Sequence, residues 1–410
     1  MAKRFGAMQH RNFQLFIAGQ LISLVGTWME TTAQLWLVYR LTNSAALLGV
    51  FGFARQIPIL LLASVGGYVG DRFDRHKGVI WTQFASMILA FVLAALTLTH
   101  LIRVWQLIVI ALLVGVVNAF DVPIRQAFLV QMVGKEDLPN AIALNSSMFN
   151  GARALGPALG GVAIAWIHDG WCFFLNGVSF LAVILALLAM RIPKTETKKP
   201  AGSPIQTFLH GFRFSMGDWP IRSVLLLLSV LSLFGLQYSV FLPVFAAEVL
   251  HRGARGFGIL MSAAGAGAVL GALHFAGRTH YKGLARWVAA MSLTASVCLI
   301  AFSVSKIFWI SIVLLVVIGF AGTSQMAATN TTVQNRVPDE LRSRVMAVYA
   351  TMFMGVQPLG SLLAGGVAKR FGAPRALEIF GFIVLAASLV FLVRVAMRVP
   401  SVGAGKAREG

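Results

Sequence analysis

Apolar stretches of about 18 or more residues follow one another along almost the whole chain, each long enough to cross a hydrocarbon layer of ~30 Å as a helix. No other feature restricts the fold so tightly. Hydrocarbon offers backbone amides no water to bond to, so such segments must be helical and satisfy their own amides. Composition agrees: of 410 residues, 58% are hydrophobic and 12% charged, against about 25% charged in soluble domains. The expected fold class is an all-α membrane protein, set in a bacterial-type inner membrane.

Reading the apolar runs against charged, proline and glycine punctuation predicts twelve transmembrane helices. They fall near 13–39, 45–69, 78–99, 105–131, 138–167, 170–190, 222–249, 256–276, 284–303, 307–334, 341–368 and 373–397. The longest polar interruption, 191–221, divides the chain into six-helix bundles at 1–190 and 222–400, joined by a cytoplasmic linker and followed by a tail at 401–410. The halves read as copies: Gln131-Met-Val-Gly-Lys-Glu-Asp-Leu138 is echoed by Gln334-Asn-Arg-Val-Pro-Asp-Glu-Leu341, and Leu155-Gly156 by Leu359-Gly360. Two pseudo-symmetric halves are a transporter architecture, with substrate held between them near the bilayer midplane. With the N-terminus inside, basic residues favour the inner segments by about three to one, which puts both termini in the cytoplasm. Lys369, Arg370 and Arg375 are exceptions to that bias.

The formal net charge of +20 is spread over short interhelical segments, not gathered into a basic helix or patch, so nucleic acid is not an expected partner. Cys172 and Cys298 are the only two cysteines, too few for a disulfide framework or metal cluster. Met1–Asn12 is basic but lacks a small-residue cleavage site, so the first span is expected to serve as its own insertion signal. No Walker lysine motif occurs, and neither ATP drive nor a cofactor is expected.

Gly67-Tyr-Val-Gly-Asp71-Arg72-Phe-Asp-Arg75-His-Lys77 lies in the predicted inner loop between the second and third spans. A plain positive-inside loop would need only its basic residues. Here a glycine also permits close helix approach, an acid can cap a neighbouring helix, and arginines can reach an acid on another span. The segment resembles the Gly-x-x-x-Asp-Arg-x-Gly-Arg-Arg signature of the major facilitator superfamily, with Asp74 where the family has glycine and His76 at one basic position. The resemblance implies a conformational latch of Gly67, Asp71, Arg72, Arg75 and Asp121. In it Asp71 would cap the helix starting near Asp339–Arg344, and Arg75 would pair with an acid at the inner end of the fourth span, where Asp121 stands. Asp121 also has a local candidate partner, Arg125, one turn along its own helix. The matching loop, Gly277–Lys282, keeps basic charge but lacks the acid.

The fifth span contains Gly156-Pro157-Ala-Leu-Gly160-Gly161. Close packing of small residues and a softened helix account for it physically. It also resembles the core of the antiporter signature of drug:proton exporters, although of the upstream glycines only Gly151 is present. The arginine that those exporters carry on the fourth span is replaced by Ala111. Phe120–Phe128, Leu138–Ser146 and Arg336–Val345 resemble the enterobactin-exporter and macrolide-efflux group, the transmembrane secretion effectors. What this implies is a monomeric antiporter that exports a siderophore, drug or similar amphipathic compound in exchange for protons.

Three charges lie inside spans: Glu30, Arg55 and Arg153. An ionised residue at mid-helix costs roughly 2.5–3.5 kcal/mol on insertion scales, so each needs a partner or a wet cavity. Glu30 and Arg55 fall at similar depth and can form a structural ion pair; alternatively Glu30 titrates as substrate passes. Arg153 has no acid at its depth, and either binds an anionic group or bonds to carbonyls across a helix interface. Gln20, Thr27, Gln34, Asn118, Gln237, Gln325 and Asn330 are expected to line the cavity. Trp28, Trp36, Phe234, Tyr238 and Phe241 would form its apolar wall, unless they face lipid as a belt. Import by proton symport uses the same fold. A membrane-embedded transferase would need clustered Asp or His, and neither Asp-Asp-x-x-Asp nor His-x-x-x-His occurs.

Overall fold

The computed structural model describes residues 6–134, 136–191, 204–277 and 283–398, without a few side chains that include those of Asp71 and Asp339. The proposed tail at 401–410, most of the Gly277–Lys282 loop and the cap made by Asp71 therefore lie outside the described residues. Within them every regular element is helical, as expected. In chain order they are α1 (Arg11–Thr42), α2 (Ala45–Arg72), α3 (Arg75–Leu98), α4 (Val104–Val133), α5 (Leu138–Leu188), α6 (Pro204–Gly217) and α7 (Trp219–Leu233). There follow α8 (Tyr238–Val244), α9 (Gly253–Ala276), α10 (Leu284–Val304), α11 (Phe308–Arg336), α12 (Asp339–Ala350), α13 (Gln357–Phe371) and α14 (Ala373–Arg398).

Among the described residues, ten stretches are long and apolar enough to cross a membrane. One of them, α5, runs for 51 residues and bends at His168 (φ 67°, ψ 164°), so it is about 76 Å of helix folded back on itself. The 32 residues of α1 are also long enough to cross, but Gln20, Glu30 and Gln34 dilute its apolar content. Two of the ten are built from shorter pieces. Between α7 and α8 the helix tightens at Gly235–Gln237, and between α12 and α13 it widens into a π-type turn at Thr351–Gly355. These irregularities face each other: the Ser229 hydroxyl donates to the Met352 carbonyl at 3.2 Å, and that of Ser232 to the Phe353 carbonyl. Side-chain hydroxyls thus supply the donors that the widened helix cannot.

The two ends of the molecule are pinned differently. At the near end, which carries Gly6 and Arg398, the Ala7 amide donates to Asn140 at 3.1 Å and His10 meets Asp137 at 2.8 Å. At the far end Arg40 makes a 2.5 Å charge contact with the buried Asp169, and Tyr39 donates to Glu248 at 2.7 Å. Apolar side chains cover the outside, and the exposed Trp105, Trp166, Trp171 and Trp309 all lie within a few residues of far-end turns. That is where a bilayer interface holds indole rings.

Part of the stretch expected to be linker is helical. In α6, Phe208 and Phe214 pack on the apolar core of the C-terminal half. Arg344 of α12 meets His210 at 2.8 Å. The next helix begins a few residues earlier than the apolar run suggested, because the Asp218 side chain caps it by accepting from the Ile221 amide at 3.1 Å.

One apolar core at the far end draws on both halves, joining Leu37, Leu48, Phe51 and Phe173 to Phe241, Phe257, Ala364 and Phe380. Toward the near end each half has its own, around Phe13, Phe128 and Leu187 in one and Leu228, Val288 and Val345 in the other. The halves meet where α5 packs on α9 and α2 on α13. A Cβ at Gly161 would lie 2.7 Å from the Cα of Gly258, and one at Gly49 would lie 2.4 Å from the Ser361 carbonyl oxygen. Gly161→Val is therefore expected to destabilise the protein by about 1–3 kcal/mol, read as a lowered Tm in detergent. An unchanged Tm would mean that the helices separate at no cost.

Candidate functional site

The N-terminal half encloses a polar network built on one face of α1. Positions 26, 30 and 34 recur at helical spacing, so Gly26, Glu30 and Gln34 stack on that face. Glu30 and Gln34 are buried, and the Gln34 amide donates to Glu30 Oε1 at 2.7 Å. Arg55 of α2 donates to Gln34 Oε1 at 2.5 Å and to Thr31 Oγ1 at 3.0 Å. Glu30 and Arg55 thus share a depth, as expected, but the contact between them runs through the Gln34 amide and is not a direct ion pair. An amide can do this because it donates with its nitrogen and accepts with its oxygen.

The other oxygen of Glu30 accepts from Asn176, near the middle of the returning limb of α5. Ser179 donates to the Asn176 carbonyl at 2.7 Å. Gly26 makes room for them, since a Cβ there would lie 2.6 Å from both Asn176 Oδ1 and Ser179 Oγ. Sequence reasoning missed Asn176, Ser179 and Thr31. A lone Asn in the apolar stretch 170–190, with Ser three residues on, was the available signal.

The glycine motif of α5 works on two faces. A Cβ on Gly156 would lie 2.4 Å from Trp28 Cβ, and one on Gly160 would lie 3.0 Å from the Met29 carbonyl, so this face seats α5 on α1. Pro157 and Gly161 point the other way: a Cβ on Gly258 of α9 would meet the Pro157 carbonyl at 2.6 Å. Arg153 stands one turn before Pro157. It is half-buried, its Nε has no hydrogen-bond partner, and no carboxylate among the described residues pairs with it. Its ionisable neighbour is Tyr238, across the junction on α8.

The remaining expected residues are dispersed. Gln237 is buried at the break between α7 and α8, accepting from Ser361 at 3.0 Å and donating to the Ser232 carbonyl at 3.1 Å. Gln325 donates to Thr329 on α11 at 3.3 Å, Asn330 pairs with Gln334, and Asn118 is half-buried on α4. Gln20 is buried on α1. Of the aromatics, Trp36 stacks on Phe257 across the halves at 6.1 Å, whereas Phe241 is fully buried in the shared core.

At the near end the buried Asp121 accepts from Thr82 at 2.7 Å and Gln83 at 2.9 Å, and pairs with Arg125 at 3.0 Å. It therefore holds the local partner and not Arg75, whose guanidinium reaches the Ala127 carbonyl at 3.5 Å. Depth explains the difference, since Arg75 begins α3 about two turns below Thr82. Gly67 has open space around its Cα, and Arg72 lies over the Tyr68 ring at 4.5 Å.

Apolar helices around a buried charged network fit a polytopic membrane protein that handles polar or charged species. The sequence profile of the transmembrane secretion effectors, a family of the major facilitator superfamily, matches residues 2–408, and the chain belongs to that family. It is 26% identical to the staphyloferrin A transporter of Staphylococcus aureus (strain NCTC 8325 / PS 47), covering 92% of this chain and 94% of that protein. It is 21% identical to the enterobactin exporter EntS of Citrobacter koseri, covering 94% and 92% of the two chains. In fold it is similar to a bacterial homologue of the human lysosomal transporter Spinster, solved inward-facing and unoccupied, with a TM-score of 0.69 at 15% identity over 94% of this chain and 95% of that one. The protein is a transporter and not an enzyme.

If Gln34 carries the interaction between the two charges, Glu30→Gln and Arg55→Gln should be coupled by roughly 0.5–3 kcal/mol in a double-mutant cycle. Repeating the cycle in a Gln34→Leu background, by unfolding in detergent, should remove more than half of that coupling. Full coupling without Gln34 would mean that the charges act directly through space.

Proposed function

We propose that this transporter is a secondary active exporter of amphipathic small molecules, working by alternating access and driven by proton antiport. In this reading the ten apolar stretches make twelve crossings, because α5 crosses twice and α1 once. They form two six-helix bundles, 1–190 and 222–400, in the inner membrane, and one chain is the working unit. The near end is cytoplasmic, since basic residues concentrate there, so both termini and α6 lie inside the cell.

The observation that carries this reading is the distribution of apolar cores: one core shared by both halves at the far end, and a separate core for each half at the near end. A molecule joined at one side and parted at the other is one of the two states that rocking of rigid halves requires. With the near end inside, it is the inward-facing state. Reaching the other state means parting Tyr39 from Glu248 and Trp36 from Phe257, and bringing the Gly67–Arg75 loop toward the start of α12.

Glu30 is the best-placed proton site. Its carboxylate accepts amide donors from α1 and from the returning limb of α5. A proton on either oxygen adds a donor there and weakens that oxygen as an acceptor, so the amide facing it loses hydrogen-bond strength or must turn. Proton uptake would therefore rearrange the link that joins α1, α2 and α5. Export as the direction is supported by the likeness to the enterobactin exporter and by the Gly-Pro-x-x-Gly-Gly core.

Two experiments test this. In proteoliposomes carrying an imposed pH gradient and a panel of siderophores, macrolides and dyes, substrate-dependent proton movement is expected, and Glu30→Gln should abolish it. Substrate movement without proton flux would sink antiport, and uptake driven in the opposite sense would make the protein an importer. Separately, Tyr39→Cys with Glu248→Cys should cross-link under mild oxidation and halt transport, with reducing agent restoring it. Undiminished transport in the cross-linked protein would rule out opening at that end.

A further inference from the structure

Of the three charges that the sequence places at mid-span, two compensate each other. Glu30 and Arg55 share Gln34, and the unit they form carries no net charge. Arg153 is left over, a half-buried cation without a carboxylate or hydrogen-bond partner among the described residues. The reading that it serves structure, by bonding to carbonyls across an interface, finds no such bond.

Its place is also unusual. Pro157 has no N–H, so the carbonyl of Arg153 lacks its helical donor and the helix is softened at that point. The freed carbonyl is met by Gly265 of α9, where a Cβ would come within 2.6 Å of it. Arg153 therefore sits at the seam where the halves turn on each other. On the C-terminal half, Tyr238 lies within electrostatic reach of Arg153, and its hydroxyl makes no hydrogen bond among the described residues. Two donors without a hydrogen-bond partner among the described residues, one from each half, thus lie within electrostatic reach of each other at the seam.

We propose that Arg153 and Tyr238 anchor an anionic group, a carboxylate, on the transported molecule. The inference rests on the transport reading above and adds a substrate class to it: an amphiphile bearing a carboxylate, gripped by the guanidinium fork with the phenol as a third donor. A phospholipid headgroup would offer the same negative oxygens.

The test uses the full chain in nanodiscs, with pyrenebutyrate and its uncharged amide as matched probes and no gradient imposed. In phosphatidylcholine discs the acid should bind about ten- to a hundredfold more tightly than the amide. Arg153→Gln should erase the preference, Arg153→Lys should restore part of it, and Tyr238→Phe should lower it severalfold. Arg153→Met should leave Tm unchanged or raise it, because a charge with no partner is removed, whereas a structural arginine would lower it. Equal binding of the two probes by the wild type, binding of neither, or a preference that survives Arg153→Gln overturns the proposal. So does a preference lost when phosphatidylglycerol is added to the discs, which would assign the site to lipid. Failed transport with the acid preference intact would count against the exporter reading alone.

Discussion

Lipid hydrocarbon supplies no hydrogen bonds, and much of this structure follows from that single deprivation. Every polar group at membrane depth must find a partner within the protein or border a wet space. The threonines of α1 return their hydroxyls to carbonyls one turn back, as Thr27 and Thr31 do at 2.9 and 2.7 Å. Ser229 and Ser232 satisfy the widened turn between α12 and α13. Glu30 and Arg55, too costly to bury alone, are joined through one amide. Among the three charges at mid-span, Arg153 is the one that breaks that rule and calls for a reason.

The second constraint is adhesion. Between helices in lipid the hydrophobic effect contributes little, so close van der Waals contact and small residues carry the packing. The Gly156–Gly161 segment uses that principle twice, at adjacent positions. Gly156 and Gly160 seat α5 inside its own half, while Pro157 and Gly161 seat it against α9 of the other. A helix fixed on one side and sliding on the other suits a pivot. The proline reduces the stiffness of the helix at the seam, and smooth glycine surfaces offer no side-chain ridges that would hold one angle.

The all-helical fold and the family were legible because their signals are repetitive: apolar runs at membrane length, and a loop with a known spacing of glycine, acid and arginine. The depth of Glu30 against Arg55 could be read by counting residues. The role of Gln34 between them could not, because it depends on which way an amide turns. Asn176 was missed because it lies in a different span, and nothing local to the sequence pairs it with Glu30. Arg75 and Asp121 went the other way. The resemblance implied the pair, but Arg75 begins α3 about two turns away from Asp121, whose oxygens are held by Thr82 and Gln83 of α3 and Arg125 of α4. The short helix α6 was hidden in a stretch whose polarity reads as linker; its phenylalanines gain a core only once the C-terminal half is folded.

An uncompensated cation at the seam has a consequence for coupling. In the proposed alternating-access cycle, closing the halves over cargo would expel water and lower the local dielectric, which raises the cost of any charge without a partner. With the cavity empty, Arg153 opposes that closure. A carboxylate beside it removes the penalty, so the loaded transporter can pass through the closed state more easily than the empty one. Glu30 is spared this penalty while it is ionised, because Arg55 lies one amide away. In that cycle the two proposed sites would divide the work: the compensated carboxylate would exchange a proton without blocking the motion, and the uncompensated arginine would make the motion depend on cargo. That division needs no contact between the sites, only that both halves move about the α5–α9 seam on which Arg153 stands.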